Sequence, residues 1–227
     1  MEAIRSYEHL LQKSVLFTGL TSAETEEALR RMQAQVRDYP RGAFLHHTGQ
    51  PMEQFGFVLS GGVNVCKDDL EGNRMLMANV GPGDTFAESL CYLRVQEIPV
   101  YMISTGDTRI LWLSPYALFE SGNDEFSALL RNRFTGMLAR RALAMNTRIQ
   151  ILSKLTLREK LMTYFSSLAF EAGSDCFRVP FNREDMAVYI GVNRSALSRE
   201  LSRMKREGLI DYDRNEFCIL IKRENEG

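Results

Sequence analysis

The chain has one tryptophan, three histidines, four cysteines and six prolines among 227 residues, and its charges almost cancel, at a net of −1. No apolar run approaches the roughly 20 residues that a membrane-spanning helix needs, so a soluble protein without membrane contact is expected. Cys66, Cys91, Cys176 and Cys218 form no CxxC pair and no Cys/His spacing of the zinc or iron-sulfur kind, which leaves ordinary buried thiols as the expectation. No Ser/His/Asp arrangement, phosphate-cradling loop or carboxylate pair stands out, so neither catalysis nor a metal or cofactor is expected. Residues 1–14 carry Glu2 and Glu8 and lack an apolar core followed by a small-residue cleavage site; they do not read as a signal peptide, and a cytoplasmic protein is expected. With so little net charge, a nucleic-acid partner would have to be met by a local patch.

What is present suffices for two cores. Hydrophobic residues make up 44% and charged residues 25%, ordinary globular usage that needs no disulfide or metal. Residues 7–35 read as helical, with Leu10, Leu11, Val15 and Leu16, then a second helix capped by Thr21 or Ser22. From 39 to 113 the pattern becomes short β runs between turns such as Pro40-Arg41-Gly42 and Gly81-Pro82-Gly83-Asp84, the density of an antiparallel roll. Two hairpins are expected: 55–59 with 63–66 around Gly61-Gly62, and 63–67 with 75–80. A helix is expected over 125–153, where Phe126, Leu130, Phe134 and Met137, then Leu138, Ala142, Met145, Ile149 and Leu152, recur at threes and fours. So long an apolar helix implies a partner, and Phe126, Leu130, Phe134, Met137, Leu138 and Met145 are the expected dimer face. Thr156-Leu157-Arg158-Glu159 is a capping box opening another helix. The fold class is therefore α+β: a β-roll domain over 1–124, a dimerisation helix over 125–153 and a winged helix-turn-helix over 154–227, closed by a hairpin over 209–221 that turns at 213–215.

Within the last domain, Asn182 can cap a helix holding Met186, Ala187 and Ile190; Gly191 permits a sharp turn; and Asn193 can cap a second helix that directs Leu197, Leu201 and Met204 inward. Its other face carries Arg194, Ser195, Ser198, Arg199, Ser202 and Arg203, which together with Asn193 are the expected DNA-binding residues. A helix entering the major groove reads base edges with its first turns, and arginine suits the guanine N7/O6 pair, so Arg199 is the leading base reader. From 155 to 227 twelve basic residues balance twelve acidic ones, whereas from 193 to 206 Arg194, Arg199, Arg203, Lys205 and Arg206 face only Glu200, a local net of +4.

The stretch FNREDMAVYIGVNRSALSRELSRMKREGLI (181–210) resembles the winged helix-turn-helix of the cyclic AMP receptor/fumarate-nitrate regulator (Crp/Fnr) family. Gly42-x-Phe44 through Gly49, Phe57-Val58-Leu59-Ser60-Gly61-Gly62-Val63 and Gly83-Asp84-x-Phe86-x-Glu88 resemble that family's cyclic-nucleotide-binding-type roll. The order roll, long helix, winged helix covers nearly the whole chain. The resemblance implies a homodimeric transcription regulator on a near-palindromic operator of double-stranded DNA, with RNA polymerase as a partner. It also implies that Ser195, Ser198 and Arg199 face bases, with Arg194 nearer the phosphates. Ser195 stands where the family often has Glu, which removes an acceptor for a cytosine amino group.

In nucleotide-binding relatives an Arg-Ser pair follows the Gly-Asp-x-x-Gly-Glu region and holds the cyclic phosphate. Alignment on Glu88 puts Ile98 and Pro99 there, supplying neither a cation nor, at proline, an amide donor. Tight cyclic AMP binding is therefore not expected. Three alternatives stay open: a smaller or more hydrophobic effector, of unknown identity, held by Glu88, Leu90, Ile98, Pro99 and Val100; a roll with a filled interior; and a rearranged site using Arg94. Cys91 can be read as a thiol switch or as a plain buried thiol. A cluster of the iron-sulfur kind would need N-terminal cysteines, and the first here is Cys66; His9, His46 and His47 are the only histidines open to haem.

Two other classes explain less. A cupin-like metalloenzyme would use His46, His47 and Glu53, but neighbouring residues on a strand point to opposite faces. A nucleotide-responsive regulatory module for a partner protein leaves the recognition helix and wing without a role.

Overall fold

The computed structural model describes residues 6–69, 71, 73–120 and 124–220. Glu2, used above against a leader, and Ile221, expected to end the last hairpin, lie outside them. The chain divides into two compact units, one up to Ala139 and one from Arg140.

The first unit opens with α1 (Glu8–Leu11) and α2 (Ser22–Arg31). The first is a single turn, shorter than expected, because Gln12 turns the chain. Its side-chain Nε2 donates to the Leu20 carbonyl at 2.8 Å and its Oε1 accepts from Gly19 N at 3.0 Å. Thr21 and Glu24 form a capping box that starts α2. Eight strands follow: β1 (Gln35–Tyr39), β2 (Phe44–His46), β3 (Phe55–Ser60), β4 (Val63–Asp68), β5 (Arg74–Val80), β6 (Thr85–Phe86), β7 (Tyr101–Ser104) and β8 (Thr108–Leu113). They form two antiparallel four-stranded sheets, ordered β1-β8-β3-β6 and β2-β7-β4-β5, around a core that includes Phe17, Phe55, Phe57, Phe86, Ile110 and Trp112.

One expected hairpin is present and one is not. β4 and β5 pair from Val63↔Val80 to Asp68↔Arg74. β3 does not pair with β4, however; it pairs with β6 and β8 in the other sheet. Gly61-Gly62 is the crossover between sheets. Gly61 has φ +77, and a Cβ there would lie 2.5 Å from the Asp107 carbonyl, while Gly62 N and O are both held by the Thr108 hydroxyl.

A short helix, α3 (Glu88–Tyr92), lies between β6 and β7, and two helices lead out of the roll after β8: α4 (Tyr116–Glu120) and α5 (Glu125–Ser153), the last unbroken over 29 residues as expected. Leu130 and Phe134 are fully buried within the first unit, the Phe134 ring lying 5.4 Å from Phe55. This corrects their place on the expected dimer face, since an amphipathic helix buries its largest groups against the nearest apolar surface, here its own roll. Phe126, Met137 and Leu138 are half-buried against the same core. On the far half of α5 the apolar side chains of Leu143, Met145, Ile149 and Leu152 are exposed.

The second unit contains α6 (Leu157–Ala172), β9 (Cys176–Arg178), α7 (Arg183–Ile190), α8 (Arg194–Arg206), β10 (Ile210–Asp213) and β11 (Glu216–Ile219). The Thr156/Glu159 capping box opens α6, and Gly173, at φ +60, closes it. A sheet ordered β10-β11-β9 packs Phe177 and Phe217 against Phe165, and Ile151 of α5 joins this core. Buried thiols are found only at Cys66 and Cys91. Burial pushes the Cys91 thiol up to about 12, so it is not a thiolate near neutrality and the switch reading fails there. Cys176 and Cys218 are joined by a disulfide, which corrects the expectation for this pair: each neighbours a phenylalanine that faces the core, so strand alternation turns both sulfurs outward on adjacent strands.

Candidate nucleic-acid interface

The two helices α7 and α8 are set by their caps. Asn182 accepts from the amides of Glu184 and Asp185, each at 2.9 Å. Gly191, at φ +76, ends α7, and a Cβ there would approach Leu152 Cδ2 to 3.1 Å. Asn193 accepts from Ala196 N at 2.7 Å, so its side chain is engaged in starting α8. Leu197, Leu201 and Met204 are buried on one side of α8, and Met186, Ala187 and Ile190 are buried from α7. Arg194, Ser195, Ser198, Arg199, Ser202 and Arg203 are all exposed on α8, so the sequence-derived residues are brought together on one surface.

Their electrostatics are more selective than the count of charges. Arg203 pairs with Glu207 at 2.9 Å and Lys205 with Asp211 at 2.6 Å. Among the described residues, Arg194, Arg199 and Arg206 have no acidic partner. The Ser202 hydroxyl donates to the Ser198 carbonyl at 2.9 Å, which leaves it acting outward as an acceptor. The face thus offers two cations, Arg194 and Arg199, in its first two turns beside the hydroxyls of Ser195 and Ser198.

Two supporting arginines had no signal in the sequence. Arg158 of α6 donates from Nε to Glu200 at 2.8 Å and lies 2.6 Å from Glu207, holding α8 at both its middle and its end. Arg183 opens α7 and lies beneath the wing, stacked over Phe217 and Tyr212 with ring-centroid distances of 4.9 and 5.2 Å. Its Nη2 donates to the carbonyl of Arg214 at the wing turn, at 2.7 Å, and burial lowers its pKa. The wing tip is a two-residue turn with Arg214 exposed at φ +50.

In the roll, the residues expected to line an effector site are dispersed in character. Glu88 is 3% exposed at the start of α3 and accepts from the Thr85 hydroxyl. Ile98 is 1% exposed and part of the packed core, its backbone tied to Gly49 and Gln50. Leu90 and Val100 are half-buried, and Pro99 is exposed. Arg94 is turned away to an open cleft of about 630 Å³ shared with Gln33, Gln35, Arg37, Glu53 and Gln54, where it stacks 4.1 Å over the ring of Tyr116. His46 places Nδ1 and Nε2 each 3.0 Å from a backbone carbonyl, of His47 and Pro51, and His47 stacks on Phe44. Among the described residues no group of three His, Cys, Asp or Glu side chains could hold a metal ion, and no helix is long and apolar enough to cross a membrane.

Comparison with known proteins agrees with this arrangement. Residues 36–120 match the cyclic nucleotide-binding domain, and residues 159–225 match the Crp-like helix-turn-helix domain. The cyclic AMP receptor protein of Thermus thermophilus is 26% identical over 206 residues, 88% of this chain and 89% of that protein. The fold is shared with the crystal structure of the Thermus thermophilus catabolite activator protein (23% identity, 91% of this chain and 93% of that one, TM-score 0.51). It is shared too with the regulator DNR of Pseudomonas aeruginosa (22% identity, 97% and 96%, TM-score 0.51). With both domains in this order along one chain, joined by one long helix, the protein belongs to the Crp/Fnr family of DNA-binding transcription regulators.

Proposed function

We propose that the chain acts in the cytoplasm as a homodimer that reads a near-palindromic operator and engages RNA polymerase there. A small effector other than a cyclic nucleotide gates the reading. The observation that carries the DNA contact is the first two turns of α8, where Arg194 and Arg199 have no acidic partner among the described residues and stand beside the Ser195 and Ser198 hydroxyls. Arg199 and the two serines reach base edges; Arg194, and Arg214 at the wing tip, neutralise phosphates. The exposed apolar stripe Met145, Ile149 and Leu152, which share one face of α5, supports pairing of two chains through that helix. Paired so, two recognition helices reach half-sites one DNA turn apart, about 34 Å.

Against a cyclic nucleotide stand Ile98, packed in the core, and Pro99, which has no amide to donate. An effector held near Glu88 would act by favouring one arrangement of the reading heads over another. Selection of DNA from a random pool, with and without cell extract, tests both parts. A two-fold-symmetric motif recovered only with extract is the expected result; no motif under either condition refutes the DNA reading. Micromolar or tighter binding of cyclic AMP in a calorimetric titration refutes the non-nucleotide effector.

A further inference from the structure

The four cysteines fall into two classes. Cys66 and Cys91 are buried thiols, whereas Cys176 on β9 and Cys218 on β11 stand directly opposite one another, Cα atoms 4.0 Å apart, joined by a disulfide. Ile219 N donates to the Asp175 carbonyl at 2.9 Å on one side of this pair, and on the other Phe177 and Phe217 turn to the core. The sulfurs therefore lie on the outer face of the sheet. Cys176 is exposed and Cys218 half-buried, within reach of a small thiol.

The bond spans 42 positions. Inside that loop lie α7, α8, β10 and the wing turn, all the parts assigned above to DNA. β9 is an edge strand of three residues, and directly after it Val179 N donates to the Asn215 carbonyl in the wing turn at 2.8 Å. A staple between β9 and β11 thus fixes the wing from below. The fold has other support: Phe165, Phe177 and Phe217 pack together beneath the sheet, on the side away from the sulfurs. A protein that reads DNA works in the compartment that holds it, where glutathione keeps thiols reduced, and accessible disulfides there are transient ones.

We propose that Cys176–Cys218 is a thiol–disulfide exchange site that sets DNA affinity: the oxidised form holds the wing ordered and binds tightly, and the reduced form binds less well. The output of this switch rests on the DNA reading given above. A glutathione thiolate attacks Cys176 Sγ, the Sγ–Sγ bond breaks, and Cys218 leaves as a thiolate and takes a proton. A second glutathione attacks the mixed disulfide, freeing Cys176 as a thiol and releasing glutathione disulfide. Two electrons and two protons pass to the protein, and two glutathione molecules are oxidised.

The full chain, equilibrated in buffers from reduced to oxidised glutathione, is alkylated and analysed by mass. The same samples are titrated with a duplex recovered by selection, at fixed salt. The Cys176/Cys218 pair should open within the glutathione range, with Cys66 and Cys91 unlabelled while the protein is native. Affinity for the duplex should fall roughly tenfold on reduction, and Cys176→Ser should bind as the reduced protein does in every buffer. A pair that stays oxidised in fully reduced glutathione overturns the proposal, as does equal duplex affinity of the two forms. Loss of the helical circular dichroism signal on reduction overturns it too, by making the bond a requirement for folding. Failure of both forms to bind any duplex refutes the DNA reading and the switch's output together, while alkylation separately decides the exchange chemistry.

Discussion

Arg158 and Glu200 are 42 residues apart in sequence and 2.8 Å apart in space, and their contact ties the first helix of the DNA-binding unit to the middle of the recognition helix. Glu200 is only 18% exposed at its side chain, so its carboxylate depends on this partner. Arg158→Ala should lower the thermal midpoint of the unit by a few degrees and weaken DNA binding, although Arg158 is not placed on the reading face. An unchanged melting curve would show that water replaces the arginine without cost.

The same arginine gives a dependence on pH. Arg158 first, then Arg203, hold the Glu207 carboxyl below its ordinary 4.5. A carboxyl depressed in the folded state adds stability that is complete above its unfolded value and is lost as pH falls through the folded one. Thermal midpoints measured from pH 7 downward should therefore decline below about 4.5 in the wild type. Glu207→Gln, already without the charge, should start lower at neutral pH and decline less over that window. Parallel curves for the two proteins would remove Glu207 from the acid limb.

Arg199 and Arg194 have separate tasks on one face, and salt distinguishes them. Arg199→Ala should cost about 1–3 kcal/mol of discrimination and relax preference at one base pair of each half-site. Arg194→Ala should weaken all duplexes alike and reduce the slope of log affinity against log salt by about one. Unaltered sequence preference in Arg199→Ala, read by repeating the selection, would take that residue off the bases.

What could be read from the sequence was local. Thr156 with Glu159, Asn182, Gly191 and Asn193 act within a turn of themselves, so the helix-turn-helix and its caps follow from spacing. Periodicity shows that Leu130 and Phe134 share a face of α5 but not whether that face meets its own roll or another chain, and it meets its own roll. The tie from Arg158 to Glu200 and the disulfide both join residues distant in sequence, and neither leaves a pattern in it. Gly61-Gly62 looked like a hairpin because tight turns and sheet crossovers use the same residues; only the pairing of β3 with β8 tells them apart.

Ala87 precedes α3 with φ +66 and ψ 12, a left-handed conformation in which a Cβ meets the following backbone. Ala87→Gly should relieve this and stabilise the first unit by about 1 kcal/mol, read as an increase in denaturant midpoint without change in slope. A lower midpoint would mean that the flexibility glycine adds to the unfolded chain outweighs the strain removed.

Leu130 and Met145 lie on the same helix with opposite surroundings, the first fully buried and the second 61% exposed. Leu130→Ala should therefore leave a cavity and cost about 2–5 kcal/mol of stability. Met145→Glu and Ile149→Glu remove nothing from the packing of a single chain, since both side chains are exposed in it. If two chains meet along this stripe, each substitution sets a carboxylate against apolar surface and near its own symmetry copy, and both should convert a dimer to single chains in sedimentation velocity with circular dichroism unchanged. DNA binding should fall with dimerisation, because one reading head then holds one half-site alone. A wild-type chain that sediments singly at tens of micromolar would refute the dimer reading, and a Met145→Glu protein that remains dimeric would move the contact to another face of α5.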